Sequence, residues 1–248
     1  MSEPDPIPAA TVVVMREVAG GPPELLMVER ARAMSFAGGA LVFPGGRVDP
    51  EDRVLAGLLG GDPDDLAARI AGVRETLEEA GVAVGLDVAA SAIPDLRRRL
   101  YAGEPIGGLL DEVGATLALE RLVPFARWLP AGVPHKVFDT RFYLARAPEG
   151  AEPVVDGNEN VRVFWASARA VLAAADAGEA TIIFPTRRNL ERLALFTCFA
   201  DATADAIAHP VRTITPWIET RGDAEHLCIP DDLGYPVTAE RLDRAIRA

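Results

Sequence analysis

The chain has 248 residues and a formal net charge of −12, with 49% hydrophobic residues. That is enough chain for one elaborated domain or two small ones, and too acidic to offer nucleic acid a basic stripe. No apolar run is long enough to span a bilayer, the N-terminus lacks a secretory pattern, and Cys198 and Cys228 make neither a disulfide framework nor a zinc cage. A soluble cytoplasmic protein is expected, with no nucleic-acid or membrane partner, and the charge does not argue against small phosphorylated substrates.

In chain order, Thr11 to Val18 and Glu24 to Glu29 read as strands of a hairpin around Gly20-Gly21-Pro22-Pro23. Leu41 to Phe43 reads as a short buried strand that Pro44-Gly45-Gly46 breaks. A helix is expected to follow, with Asp62 as N-cap, Pro63 as its first residue and Gly81 as its left-handed terminator. Val82 to Val84 starts another strand, and Ile93 to Gly114 is an interrupted helical stretch. Leu117 to Leu129 and Lys136 to Arg146 read as two longer strands. Val161 to Trp165 is a further strand, with Ser167 capping the helix after it. Asn189 to Ala208 is the longest helix candidate, and the tail holds a strand pair, Arg212 to Thr220 and His226 to Ile229. No repeat or low-complexity linker divides the chain, so one domain is expected, with a helical insert at about 92–114 and a C-terminal extension at about 185–248.

The chemistry concentrates in Arg74-Glu75-Thr76-Leu77-Glu78-Glu79-Ala80-Gly81-Val82. At about 100° per residue, Leu66, Ile70, Val73 and Leu77 fall within about 60° of one another. Glu75, Glu78 and Glu79 project from the opposite side over roughly 100°. Three such carboxylates suit a hard cation such as Mg²⁺ or Mn²⁺. Upstream, Pro44-Gly45-Gly46 lets backbone approach closely, because glycine has no Cβ, and a carbonyl of that turn is placed to complete the coordination.

Together these segments resemble the Nudix hydrolases, whose signature is Gly, five residues, Glu, seven residues, then Arg-Glu-(apolar)-x-Glu-Glu-x-Gly-(apolar). Arg74 to Val82 matches the second half, with Thr76 at an apolar position. Gly46 opens the first half, with Asp52 where the family has Glu. Twenty-one residues, rather than seven, separate Asp52 from Arg74, so the signature carries a fourteen-residue insertion, expected to lengthen a loop. Leu25 to Arg30, Trp128-Leu129-Pro130 and Phe138 to Tyr143 are similar to the branch of the mammalian Nudix type 19 proteins, which is associated with coenzyme A diphosphatase activity.

The resemblance implies an α/β (α+β) fold, a mixed sheet sandwiched between helices, and metal-dependent hydrolysis of a nucleoside diphosphate linked to a further group. It assigns Glu78 and Glu79 as ligands of Mg²⁺ or Mn²⁺, Glu75 as ligand or water-activating base, and the Gly46 carbonyl as a further ligand. Arg74 would orient Glu78 and Asp52. Glu159, or Asp156 in its place, resembles an additional acid that some members supply. Arg30, Arg32, Lys136 and Arg141 are candidates to meet substrate phosphates, each weighed against a surface role. Coenzyme A or acyl-coenzyme A leads among substrates, ahead of ADP-ribose, NADH, nucleotide-sugars and dinucleoside polyphosphates. A catalytically silent nucleotide sensor is the alternative. By analogy with the family a homodimer is expected, and Asn189 to Ala208 would offer its apolar surface.

Overall fold

The structure, a computed structural model, describes residues 5–34, 37–130, 137–155 and 159–245. Val12 and Val14 are as fully buried as Val13 and Met15. Side chains alternate across a strand, so the first strand is covered on both faces, and the fold is built outward from it.

The strands are β1 (Ile7–Arg16), β2 (Glu24–Arg30), β3 (Leu41–Val42), β4 (Gly45–Arg47), β5 (Leu86–Asp87), β6 (Thr116–Leu117), β7 (Val123–Trp128), β8 (Phe138–Arg146), β9 (Asn160–Ser167), β10 (Thr213–Ile214), β11 (Trp217–Arg221), β12 (Ala224–Cys228) and β13 (Ala239–Arg241). The helices are α1 (Pro50–Ala56), α2 (Pro63–Ala80), α3 (Ile93–Tyr101), α4 (Ile106–Val113), α5 (Ala168–Asp176), α6 (Phe184–Leu193), α7 (Phe199–Ala208) and α8 (Leu242–Ala245). Eight strands form one mixed sheet in the order β10-β7-β8-β1-β2-β3, with β4 beside β1 and β9 beside β2. β1–β8 and β7–β10 are parallel and the other pairs antiparallel. The expected helix–sheet–helix layering is present.

One core packs on the Val12–Val14 face, where Ile70, Val73 and Leu77 of α2 join Leu96 and Leu100 of α3 and Leu109 and Leu110 of α4. The second packs on the Val13–Met15 face, with Leu190 and Leu193 of α6 and Ala202 and Ala206 of α7. There Trp128 is buried edge-on between Phe184 and Tyr235, at 6.1 and 5.9 Å between ring centres.

Several expected elements differ. The Arg53 to Leu66 insertion is not simply a loop. Its first part belongs to α1, and its buried Ala56 joins the α2 core. Val82 to Val84 is buried but extends into no strand; β5 starts at Leu86. Leu117 to Leu129 is two strands, β6 and β7, separated by a 3-10 turn at Leu119–Arg121. The Asn189 to Ala208 helix is two helices: α6 ends at Leu193 and α7 starts at Phe199, with Asp201 of its first turn accepting the amide and hydroxyl of Thr197 ahead of it. The long apolar surface on which a homodimer was expected is therefore not formed as one helix. Gly107 and Gly108 do not break the helical insert; both lie inside α4.

The face of α2 turned to the sheet is made of small residues. Ala68, Gly72 and Thr76 recur every four positions and are buried, and a Cβ on Gly72 would meet Val12 Cγ2 at 2.8 Å. Thr76 lies in this interface because its hydroxyl donates to the Gly72 carbonyl at 2.7 Å. Gly72→Val should therefore push α2 off β1 and lower unfolding free energy by about 2 kcal/mol. Gly108→Ala, at an exposed helical position with open space around it, should raise it by about 0.5–1 kcal/mol. Denaturant titration of both variants checks the opposite signs.

In the C-terminal extension, Arg188 Nη2 donates to Glu191 and Glu240 at 2.9 Å each. Burial pushes Glu191 up to about 7 from an ordinary 4.5, against the pull of Arg188 and Arg187. The folded chain then keeps a proton that the unfolded chain has already released, so this group's contribution to stability falls as pH rises from about 4.5 to about 7. Glu191→Gln should remove that decline and leave the variant more stable than the parent above pH 7; melting curves across pH report it.

Candidate active site

The sheet opens where β1 and β2 part. β2 pairs with β1 only near Leu25 and Glu24, while the N-terminal half of β1 pairs with β4 (Ala9 with Arg47, Ala10 with Gly46, Thr11 with Gly45). β3 lies against β2, and Phe43-Pro44 carries the chain across the gap. Pro44 has no amide to place, and its carbonyl accepts Val12 N at 3.0 Å. Two glycines follow: backbone leaves no room for a side chain at Gly45, and one at Gly46 would displace the Glu75 carboxylate. A Cβ on Gly45 would sit 2.3 Å from Ala10 O, and one on Gly46 would sit 2.3 Å from Glu75 Oε1.

Against this turn α2 presents its acids. Glu79 is 4% exposed. Its Oε2 accepts Gly45 N at 2.9 Å, its Oε1 accepts Asn160 Nδ2 at 3.3 Å, and Arg30 Nη1 stands 4.0 Å away. Arg74 fans across the remaining acids. Nε and Nη2 clasp Asp52 at 3.1 and 2.9 Å, Nη1 donates to Glu75 at 2.9 Å and Glu78 at 3.2 Å, and Nη2 also reaches Arg47 O at 3.1 Å. Asp52 is fully buried and also accepts Asp49 N at 2.9 Å at the start of α1.

The electrostatics are unbalanced toward anion. Asp49, Asp52, Glu75, Glu78 and Glu79 face Arg74, Arg30 and the largely exposed Arg47. Burial, and then Glu75 beside it, pushes Glu79 up to about 8. Burial pushes Glu75 up to about 7 despite Arg74, helped by Glu78 and Asp49. Glu78 is raised too, again chiefly by burial.

A search for relatives agrees with this geometry. No family model matches the chain. A crystal structure of a Nudix hydrolase from Alicyclobacillus acidocaldarius superposes with a TM-score of 0.72 at 30% identity, covering 82% of this chain and 97% of that one. This chain belongs to the Nudix hydrolases. A putative nudix hydrolase 7 from Caenorhabditis elegans is 27% identical over 223 residues, 85% of this chain and 69% of that protein.

Gly46, Arg74, Glu75, Glu78 and Glu79, expected together as a signature, come together on this fold, and Asp52 joins them from α1. The acidic side of α2 does lie opposite Ile70, Val73 and Leu77, but it is not a solvated face: Glu79 is buried and Glu75 and Glu78 are half-buried. Glu159 is exposed, and its backbone carbonyl accepts Ala31 N at 2.8 Å. Its neighbour Asn160 supplies the buried contact to Glu79, which sequence reasoning missed; the onset of the Val161 strand was the available signal. Arg30 reaches the site and Arg32 is exposed beyond the end of β2. Arg141 is held by Asp65 at 3.3 Å, ten residues or about 15 Å from Glu75 along α2. Lys136 and Asp156 lie outside the described residues.

The donor set fits a hard divalent cation in chemistry: carboxylate and backbone carbonyl oxygens, buried or half-buried, with excess negative charge. No three acidic, His or Cys side chains converge as a ready cage among the described residues, because Arg74 draws Glu75 and Glu78 while Gly45 and Asn160 hold Glu79. Breaking the Asp52–Arg74 pair leaves a buried guanidinium short of its partner. Asp52→Asn should thus cost about 3 kcal/mol, whereas Asp49→Asn, at a partly exposed position, should cost under about 1 kcal/mol. Urea unfolding of the two variants measures the difference.

Proposed function

We propose that this Nudix hydrolase is a diphosphatase dependent on Mg²⁺ or Mn²⁺, cleaving the diphosphate of a nucleoside diphosphate linked to a further group. Coenzyme A or acyl-coenzyme A is the first substrate class. The observation that carries the reading is the pair of glutamates, half-buried Glu75 and buried Glu79, set against the Gly45–Gly46 turn with too few guanidiniums to neutralise them. Glu75, Glu78, Glu79 and the Gly46 carbonyl would hold the metal, which would neutralise diphosphate oxygens and acidify a bound water.

The chain's own groups do the rest. Arg74 positions Glu75 and Glu78 and ties them through Asp52 to α1. The Gly45 amide and Asn160 fix the plane of the Glu79 carboxylate. Burial raises the Glu75 carboxyl in the metal-free chain, and its place beside the Gly46 turn suits it as a ligand or as the water-activating base. Arg30 faces the same space and is the nearest substrate-facing guanidinium; Arg32 and the exposed Glu159 are proposed at its rim. The coenzyme A preference rests on Gly39 and on Leu25 to Arg30, which resemble the pattern before Phe-Pro-Gly-Gly in coenzyme A-cleaving members with the Arg shifted by one and with Met34, Ser35 and Phe36 where those members carry a basic residue or histidine.

Turnover should be measured by coupled phosphate release over coenzyme A, acetyl-coenzyme A, ADP-ribose, NADH, nucleotide-sugars and dinucleoside polyphosphates, with and without Mg²⁺ or Mn²⁺. Metal-dependent cleavage is expected, strongest for the coenzyme A class. Glu79→Gln should lower it by roughly two orders of magnitude or more while keeping an acceptor for Gly45 N. Silence across the panel with nucleotide binding retained would replace the enzyme reading by the sensor.

A further inference from the structure

At the N-terminal end of α2, away from the glutamates, a cavity of about 190 Å³ lies between β7, β8, the segment entering β10 and Asp65. Its polar wall is Arg127, Arg141, Tyr143, Thr213 and the acidic Asp65, and the rest is apolar. Arg127 and Arg141 stand directly opposite each other across the β7–β8 pair, an arrangement that is unfavourable unless anions separate the charges. Asp139 satisfies Arg127 with a two-point pair at 2.8 and 2.6 Å.

Asp65 is divided three ways. It accepts Arg69 Nε at 2.6 Å and Tyr143 Oη at 2.8 Å, leaving Arg141 Nη1 at 3.3 Å. Three guanidiniums thus share two carboxylates, and Arg141 is the one least well held. The nearby Asp64 is engaged by Arg53 at 2.8 Å. A recess with a surplus cation, on a chain of net charge −12, is a local feature and no part of a basic surface.

We propose that this cavity is an anion subsite for a phosphate group, either free phosphate or a phosphomonoester carried by a nucleotide, with Arg141 as its principal donor. A partly buried guanidinium with unused donors is the group that binds such an oxyanion through charge-assisted hydrogen bonds. Thr213 adds a hydroxyl at the rim. The inference stands on the cavity's own charge and geometry, whether or not the diphosphatase reading holds.

The test is calorimetric titration of inorganic phosphate into the full chain, with EDTA present so that no metal–phosphate complex at the glutamates contributes. Saturable binding is expected, weakened about ten-fold or more in Arg141→Gln and partly recovered in Arg141→Lys. Arg141→Gln should stay folded, since Asp65 keeps Arg69 and Tyr143. Thr213→Glu, at an exposed edge position, places a repelling carboxylate at the mouth and should also weaken binding. Competition by adenosine 3′,5′-bisphosphate against adenosine 5′-monophosphate separates the sources. Stronger displacement by the bisphosphate marks a substrate-borne phosphomonoester, and equal displacement marks free phosphate. No saturable binding by the parent chain, or equal binding by parent, Arg141→Gln and Thr213→Glu, overturns the proposal.

Discussion

The close seat of α2 on β1 is the contact on which the rest of the structure depends. Ala68, Gly72 and Thr76 form a face with almost no side-chain height, so the helix lies low enough for Glu79 to reach the amide of Gly45. The opposite edge is equally bare, since the turn that meets those acids is glycine at both positions. Close packing of two smooth surfaces removes water, and removing water is what raises the two glutamates. A larger residue on either side would relieve the electrostatic tension and abolish the site together.

The other elements serve that seat from behind. The apolar stripe of α2 is covered by α3 and α4, and Arg97 of α3 donates to the Glu78 and Glu79 carbonyls at 2.8 and 3.2 Å, tying down the last turn of the helix. The Arg53 to Leu66 segment continues α1, whose Asp52 is buried against Arg74. Its length is therefore accommodated without moving the acidic residue away from the arginine. Beyond the sheet, α6 and α7 cover the second face, leaving β1 buried on both sides.

Much of this was legible in the sequence because it rests on local rules. Asp62, Pro63 and Gly81 bound α2 as capping chemistry requires, with Asp62 accepting Asp64 N and Gly81 left-handed at φ 67°. The β1–β2 hairpin, the Pro-Gly-Gly break and the Ser167 cap follow the same logic. What was not legible depended on the third dimension. Periodicity separates the two faces of α2 but does not say that both are buried, because small residues among the acids look like a wet surface. Asn160 gave no signal beyond starting a strand, since only the pairing of β9 with β2 brings it over Glu79. The division of Asn189 to Ala208 falls between Leu193 and Phe199, where Asp201 accepts the Thr197 hydroxyl, a local contact that hydrophobic periodicity does not register.

The central claim is that the glutamates facing Gly45–Gly46 form a cation site held under charge strain. Titration of Mn²⁺ near pH 7, by calorimetry in buffers of different ionisation enthalpy alongside melting curves, tests it most directly. The account predicts saturable binding that raises the melting temperature and releases protons, because Glu75 and Glu79 are partly protonated there. No proton release and an unchanged melting temperature across the titration would contradict it.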